Sequence, residues 1–301
     1  MITGQDFSKY KCGYVAILGR PNVGKSTLLN TVLAFKLCIV TPKPQTTRHR
    51  ILGIHCEDDL QIIFLDTPGI IKPRYKLHEY LVKSAEGAAK SADLHLFLID
   101  ASEKLHDTEA TLLAGLAKQN KPIIICINKV DKIAKATLLP LIEKCAALPG
   151  IVDVVPVSAL KNDGINALLA GIKKRLPHSP PLYPVDQLTT APERFFVSEL
   201  IRESIFNNYG DEVPYSATVS VEEFKEREGR KDYIRATILV ERSSQKGILI
   251  GKKGTALKKV GAEARKEIEL MLDRKVFLDL FVAVRPKWRE NENMLKNLGY
   301  N

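Results

Sequence analysis

Nowhere in the 301 residues is there an apolar run long enough to cross a bilayer. The longest, such as Ile123 to Ile127, fall far short of the ~20 residues a spanning helix needs. The first apolar run, Tyr14 to Leu18, stops at Gly19-Arg20, so neither a secretory leader nor a transit peptide is expected. Cysteine is scarce: the five are Cys12, Cys38, Cys56, Cys126 and Cys145. No two form a CxxC pair and all precede residue 150, which argues against a disulfide framework and a zinc site and for thiols in a reducing compartment. The last residues, Asn297-Leu298-Gly299-Tyr300-Asn301, carry no prenylation motif. Carboxylates are missing from two stretches of an otherwise mixed chain of net charge +10. Lys9 to Arg50 holds eight basic residues and no acid, and Lys246 to Lys259 holds five lysines and no acid. Most charge runs are solvated faces, but each of these encloses a glycine loop of the kind that meets phosphate, which points to anionic partners.

What is present divides in two. Tyr14 to Leu18, Gln61 to Leu65, Leu94 to Ile99, Ile123 to Ile127 and Val152 to Val157 are near-continuous Ile/Val/Leu runs. Strands buried on both faces read this way. Stretches of helical spacing, such as Lys83 to Ala92 and Glu109 to Gln119, lie between them. The alternation predicts an α/β domain, with a mostly parallel sheet and helices on both faces, over residues 1–176. Four prolines between Pro177 and Pro184 predict a stiff extended linker over 177–191. Residues 192–301 then predict an α+β domain of order α, β, β, α, α, β. Its elements are a helix at Glu193 to Asn208, strands at Tyr215 to Phe224 and Tyr233 to Glu241, a short helix at Gly247 to Ile250, a helix from Thr255 to about Met271, and a strand at Val276 to Val284.

Four segments of the first half, in order, describe a guanine-nucleotide site. Gly19-Arg20-Pro21-Asn22-Val23-Gly24-Lys25-Ser26 fits GxxxxGK[ST] between a strand and the helical stretch that starts at Thr27, the context the motif requires. Its backbone N–H groups and the helix N-terminus suit phosphate. Lys25 reaches the β- and γ-phosphates and the Ser26 hydroxyl ligates Mg²⁺. Asp66-Thr67-Pro68-Gly69 ends the second apolar strand. There Asp66 holds Mg²⁺ through water and the Gly69 N–H meets the γ-phosphate. Asn128-Lys129-Val130-Asp131 selects the base. The Asp131 carboxylate accepts from guanine N1–H and the 2-amino group, a donor pair adenine lacks, and pairing it with the wrong base leaves a buried charge unsatisfied. Asn128 braces loops and the Lys129 stem lies along the base. Ser158-Ala159-Leu160 follows the last strand, with the Ala159 N–H placed for guanine O6. The order is similar to that of the translation-factor-related GTPases, whose sites lie at the carboxyl ends of strands.

Between the first two segments, Phe35 to Arg50 has no apolar period and reads as a switch segment ordered by γ-phosphate and Mg²⁺. Thr46 or Thr47 supplies the second hydroxyl ligand; resemblance to GTPases with Thr-Arg at this point favours Thr47. Ile70 follows Gly69 where some GTPases have a water-orienting glutamine. Slow intrinsic hydrolysis is therefore expected. Lys25, Thr47 and Gly69 form the catalytic set. Asn22 is either a loop-stabilising residue or, as in related GTPases with an apolar residue after DTPG, part of a K⁺ site that stimulates hydrolysis.

In the second half, Gly251-Lys252-Lys253-Gly254 lies between two helices, behind Ile248-Leu249-Ile250 and beside Lys246, Lys258 and Lys259. With the α-β-β-α-α-β order it resembles a type II KH domain. In such a domain a GxxG loop clamps the backbone of about four unpaired nucleotides. Ile248, Ile250, Gly251, Lys252, Lys253, Gly254 and Lys258 are the expected RNA contacts, with salt-dependent attraction from the lysines. Ile248, Leu249 and Ile250 serve equally well as core. Trp288 either stacks on a base or packs into the domain.

Both halves together resemble the Era family, GTPases that act in assembly of the small ribosomal subunit. The resemblance covers nearly the whole chain and rests on Gly19 to Ser26, Pro44-Gln45-Thr46-Thr47-Arg48-His49-Arg50, Asp66 to Gly69, Asn128 to Asp131 and Ile250 to Gly254. It implies GTP/GDP and Mg²⁺ as ligands. It implies binding to single-stranded ribosomal RNA near the 3′ end of 16S rRNA on the 30S subunit. It also implies a cytoplasmic protein, with peripheral association at the inner face of the cell membrane in some members; bacterial origin is expected from the lack of a transit peptide before the P-loop. Nothing demands an oligomer, so a monomer is expected. A membrane-associated signalling GTPase with a basic lipid-binding or partner-binding C-terminal domain is the alternative. A metabolic P-loop ATPase or kinase is opposed by Asn128 to Asp131.

Overall fold

The computed structural model describes residues 7–69 and 73–300. Ile70 lies outside the described residues. Contacts divide the chain into two compact units. One comprises Met1–Cys38, Thr47–Lys72 and Leu81–Thr190; the other comprises Ile39–Thr46, Pro73–Tyr80 and Ala191–Asn301.

The first unit is built on strands β1 (Lys11–Gly19), β2 (Ile51–Glu57), β3 (Leu60–Asp66), β4 (Leu94–Asp100), β5 (Ile123–Asn128) and β6 (Ile151–Pro156). They form one sheet of order β2-β3-β1-β4-β5-β6. All neighbours pair in parallel except β2, which runs antiparallel to β3. The helices are α1 (Lys25–Leu33), α2 (Lys76–Ser91, in this unit from Leu81 on), α3 (Asp107–Ala117), α4 (Lys135–Ala146) and α5 (Ile165–Arg175). Every residue of β3, β4 and β5 is buried, which explains their unbroken apolar sequences. Ile123, Ile125 and Ile127 pack in one core cluster with Ala88 and Ala89 of α2, Leu113 and Leu116 of α3 and Cys145 of α4. The alternate residue Ile124 faces Gly171 of α5, so helices cover both faces. The predicted fold class holds, with two additions. Strand β2 was not anticipated. Helices α4 and α5 were not singled out either; α4 contains Pro140 and is mostly exposed, so its apolar period is weak.

The proline-rich stretch is more than a spacer. Lys11 bridges His178, and the Ser179 N–H donates to Tyr10 O at 3.2 Å. Fully buried Gln61 accepts from the N–H groups of Leu182 (2.7 Å) and Tyr183 (3.0 Å) and donates to Tyr183 O (2.8 Å). Further on, Ile54 N–H donates to Leu188 O and Thr189 Oγ1 to Leu52 O. Proline denies the segment a donor ladder of its own. One glutamine side chain and the backbone of β2 and of the start of β1 supply its partners instead.

The second unit holds α6 (Glu193–Asn208), a single turn α7 (Val213–Ser216), β7 (Thr218–Lys225), β8 (Asp232–Val240), α8 (Ser243–Ile250), α9 (Thr255–Leu272), β9 (Val276–Val284) and α10 (Glu292–Asn297). β7 is antiparallel to β8 and β8 parallel to β9. Ile234, Ala236, Ile238 and Val240 of β8 point into a core shared with Val197, Leu200 and Ile201 of α6 and Val260, Ala264 and Ile268 of α9. The intervening residues lie on the other face, as period two dictates. The predicted order is present, with α7 and α10 added. Trp288 is fully buried and its Nε1–H donates to Ser216 O at 2.8 Å. Packing, not stacking on a base, is its role here.

Candidate functional site

In the first unit the four predicted segments converge at the carboxyl ends of β1, β3, β5 and β6. The phosphate loop turns from β1 into α1 through Gly24, whose φ is +98°. A Cβ there would lie 2.2 Å from Asn128 Nδ2, so only glycine lets the base-recognition segment close on the loop. The second strand-end loop approaches as closely, since a Cβ at Gly69 would meet Pro21 N at 2.7 Å. Thr67 is fully buried and its hydroxyl donates to Ile17 O at 2.8 Å, anchoring that loop to β1. Thr67 therefore supports the loop with its side chain. Arg20 reaches outward to Glu103 at 2.7 Å. Val23 is buried, and Thr27 opens on the base side.

The Lys25 ammonium donates to the carbonyls of Gly19 (3.2 Å) and Arg20 (2.8 Å). Burial pushes it down to about 8, with Asp66 opposing the shift. Burial likewise pushes the Asp66 carboxyl up, against the pull of Lys25 and Ser26. Both groups are held in a low-dielectric pocket that disfavours their charges. Ser26 Oγ donates to Asp66 Oδ2 at 2.9 Å and lies 2.9 Å from Thr47 Oγ1. Asp66 Oδ1 is buried and has no hydrogen-bond partner. Three hard oxygen donors with a spare buried carboxylate oxygen fit Mg²⁺. Thr46, the other candidate, spends its hydroxyl on Thr41 Oγ1 (2.7 Å) and Lys43 O (2.8 Å).

Asn128 sits where three loops meet. Its Nδ2 donates to Val23 O (2.8 Å) and its Oδ1 accepts the Ala159 N–H (3.0 Å). The Ala159 N–H, expected to face guanine O6, is directed at Asn128 in this arrangement. Asp131 Oδ1 accepts from Ser158 Oγ at 2.5 Å. A cavity of about 140 Å³ lies among Gly24, Thr27, Asn128, Lys129, Asp131 and Leu160. Leu160 is 73% exposed, an apolar lid with no protein to cover, and Val130 is half-buried behind the loop. Lys129 adopts φ +65° and donates to Asn22 O and Asp100 Oδ2, both at 2.6 Å.

Asp100 was not foreseen. It closes β4 opposite Asn128, accepts from Ser102 as well, and is held below the usual carboxylate range by those hydrogen bonds against the cost of burial. Its signal in the sequence was a carboxylate ending an apolar strand, as at Asp66.

The segment from Phe35 to Arg50 has no regular structure. Asn30 brackets the Cys38 backbone with two 2.8 Å hydrogen bonds. The next eight residues belong to the second unit. Ile39 joins the core with Val197, Leu200 and Ile201. The Lys43 ammonium donates to the carbonyls of Phe206 and Tyr209 at the end of α6, and Arg202 donates to Thr46 O.

In that unit the GxxG loop joins α8 to α9. Gly251 has φ +70°, and a Cβ there would strike Ala256 Cβ at 2.6 Å. Gly254 caps α9, and nothing lies within 4 Å of where its Cβ would be, which leaves room for a phosphate. Lys252, Lys253 and Lys258 are not buried, and Ile248 is 51% exposed. Ile250 is half-buried. Leu249 is fully buried, so of the apolar triplet it is core alone.

The family described as 50S ribosome-binding GTPase matches residues 14–129, and the KH domain family matches residues 212–289. The chain is 50% identical over 295 residues to the GTPase Era of Geotalea daltonii, covering 97% of this chain and 98% of that protein. It is 46% identical to the GTPase Era of Lacticaseibacillus paracasei, covering 98% of each. An Aquifex aeolicus Era variant bound to GDP and aluminium fluoride superposes with a TM-score of 0.93 at 42% identity, over 96% of this chain and 99% of that one. An Era bound to MgGDPNP and nucleotides 1506–1542 of 16S ribosomal RNA gives a TM-score of 0.94 at 41% identity, over 97% and 99%.

Proposed function

The chain belongs to the Era family of GTPases, and from that premise we propose a GTP-gated clamp for single-stranded ribosomal RNA near the 3′ end of 16S rRNA that acts on the 30S subunit. The GTPase domain spans residues 1–176, the linker 177–191 and the RNA-binding domain 192–301. The observation that carries the switch is the oxygen cluster of Ser26, Thr47 and Asp66 with its spare Asp66 Oδ1.

These three oxygens would hold Mg²⁺, and Thr47 supplies the second hydroxyl. When bound, the ion offsets the charge of the β- and γ-phosphates. Lys25 exchanges the Gly19 and Arg20 carbonyls for phosphate oxygens and regains its proton. The Gly69 N–H donates to the γ-phosphate. Asp131, oriented by Ser158, accepts from guanine, and Leu160 and the Lys129 stem flank the ring. With Ile70 after Gly69, no glutamine stands there to orient the attacking water. Hydrolysis to GDP and phosphate is slow, and Asn22 would help hold a K⁺ that stimulates it.

The RNA reading draws on the 16S fragment bound by the Era relative. It also draws on the open space at Gly254 beside exposed lysines. The test is binding of a labelled single strand from the 3′ end of 16S rRNA, with GDP and with a non-hydrolysable GTP analogue. Tight binding in the analogue state, lost in Gly251→Asp and Gly254→Asp, is the expected result. Binding indifferent to nucleotide would keep the RNA site and refute the gate. No binding in either state would transfer the basic surface to anionic lipid at the inner membrane face.

A further inference from the structure

The sheet of the second unit has one face on α6 and α9 and one face open. The open face carries an aromatic cluster that the GxxG loop does not use. Tyr233 of β8 stands opposite Phe277 of β9, with rings 6.0 Å apart and 12° from parallel. Phe281 follows on the same face of β9. Phe277 is 54% exposed and Phe281 43%. Arg227 lies over the Tyr233 ring at 4.9 Å and Arg235 over the Phe281 ring at 4.8 Å.

The charges on this face are unequally committed. Glu223 pairs with Lys225, and Asp279 accepts the Tyr233 hydroxyl at 3.1 Å. Arg227 and Arg235 are exposed and form no ion pair within 4 Å among the described residues, although Glu223 and Asp279 flank Arg235 on the neighbouring strands and Glu223 feels the charge of both arginines. Cross-strand aromatic pairs do stabilise sheets. That role explains the Tyr233–Phe277 pair. It does not explain two unpaired guanidinium groups laid on rings beside two half-exposed phenylalanines. Rings offering a face and arginines offering a charge are the composition that stacks unpaired bases and attracts their phosphates. A lipid surface would want apolar side chains that insert, and here two of the three rings, Tyr233 and Phe281, lie under cations.

The placement also fits a continuous path. β9 is an edge strand, paired only with β8. Its inward residues pack on α9, the helix that the GxxG loop opens, with Leu280 Cδ1 at Gly261. Its outward residues include Phe277, Asp279 and Phe281, with Asp279 held by the Tyr233 hydroxyl. A strand leaving the GxxG groove along α9 meets this edge and can turn over it.

We propose that the open face of the β7-β8-β9 sheet is a second contact surface for single-stranded RNA, stacking bases on Phe277 and Phe281 under Arg235 and extending the footprint beyond the GxxG groove. The proposal rests on the RNA reading above. It separates from that reading by RNA length.

The experiment measures affinity of the full chain, loaded with a GTP analogue, for two unstructured RNAs. One is of about four nucleotides, the groove's capacity; the other is of about twelve, within the range of single-strand sites. Wild type is expected to hold the longer RNA about tenfold or more tighter. Phe277→Ala/Phe281→Ala should remove that advantage and leave the shorter RNA unchanged, with the circular dichroism spectrum retained and stability lowered only by the roughly 0.2–1 kcal/mol of a cross-strand aromatic pair. Arg235→Ala should remove part of it and flatten the salt dependence of the longer RNA alone. Gly251→Asp should weaken both RNAs. Equal affinity for the two lengths in wild type, or an advantage that survives loss of both rings, overturns the second surface and leaves the groove intact. Failure of wild type to bind either RNA overturns both readings.

Discussion

Arg202 donates to the backbone carbonyl of Thr46, and the residue after Thr46 is the one whose hydroxyl meets Ser26. The carbonyl that takes this guanidinium and the hydroxyl that meets Ser26 thus belong to adjacent residues. Arg202 is 1% exposed and its Nε–H donates to Glu199 Oε1 at 2.9 Å. A buried pair of this kind costs desolvation to form, and breaking it by removing one partner is far more damaging than replacing both.

Arg202→Met is therefore expected to lower unfolding stability by about 3–5 kcal/mol, the usual cost of leaving a buried charge without its partner. Arg202→Met/Glu199→Leu should recover a large part of the loss. Urea denaturation of the four proteins of the cycle measures it. A single variant within about 0.5 kcal/mol of wild type, the range of an ordinary surface change, would mean that the pair is not structural.

Asp131→Asn replaces the acceptor of guanine N1–H and the 2-amino group by a side chain that also donates. GTP affinity should fall by about 10⁴-fold, the scale seen when a site built for a hydrogen-bonded group loses it. Xanthosine triphosphate, which presents an oxygen in place of the amino group, should then bind better than GTP. Unaltered GTP affinity in a competition assay would place the base elsewhere.

Lys25 gives the free site a pH signature. Its ammonium sits near 8 when folded and at 10.5 when unfolded. Between those values the unfolded chain binds the extra proton, so stability of the nucleotide-free protein rises with pH across that window. Phosphate restores the charge, so nucleotide binding takes up a proton there and affinity falls by up to about tenfold per unit above pH 8. Calorimetry at pH 8.5 in two buffers of different ionisation enthalpy reads the uptake directly. Lys25→Arg should abolish it, because a guanidinium stays charged. Zero uptake in wild type would refute the displaced value.

Hydrolysis should run several-fold faster in KCl than in NaCl at matched ionic strength, and Asn22→Ala should erase the difference. Equal rates in the two salts with wild type would remove K⁺ from the mechanism and leave Asn22 as a loop residue.

The buried strands were legible because burial on both faces removes polar residues outright; β3, β4 and β5 could hardly read otherwise. Glu193–Asn208 and Val276–Val284 were placed to the residue by their periods. β2 escaped notice because its Gly53, His55 and Cys56 break any simple pattern; Gly53 is small because Leu29, Leu33 and Leu37 crowd it. The chemistry of the nucleotide site was carried by local motifs and could be read one segment at a time. What joined the segments could not. Asn128 serving Val23 and Ala159 at once, Asp100 steering Lys129, and Gln61 holding the proline-rich stretch are pairings between residues far apart in the chain, and none has a local pattern. The partners of the two adjacent threonines were equally illegible: the Thr46 hydroxyl meets Thr41 and the Thr47 hydroxyl meets Ser26.

The Thr46 carbonyl and its arginine are 156 positions apart. Translation proceeds from the N-terminus at about 5–20 residues per second. The carbonyl is therefore made roughly 8–30 s before Arg202 is. Ile39, which belongs in the core with Val197 and Ile201, spends the same interval without its neighbours. All six strands of the first sheet are made before then, but residues 39–46 still lack their partners on α6. A nascent chain can thus assemble a phosphate loop before it can settle the segment beside it. Nucleotide handling by the half-made protein should differ from that of the finished one for as long as synthesis lasts.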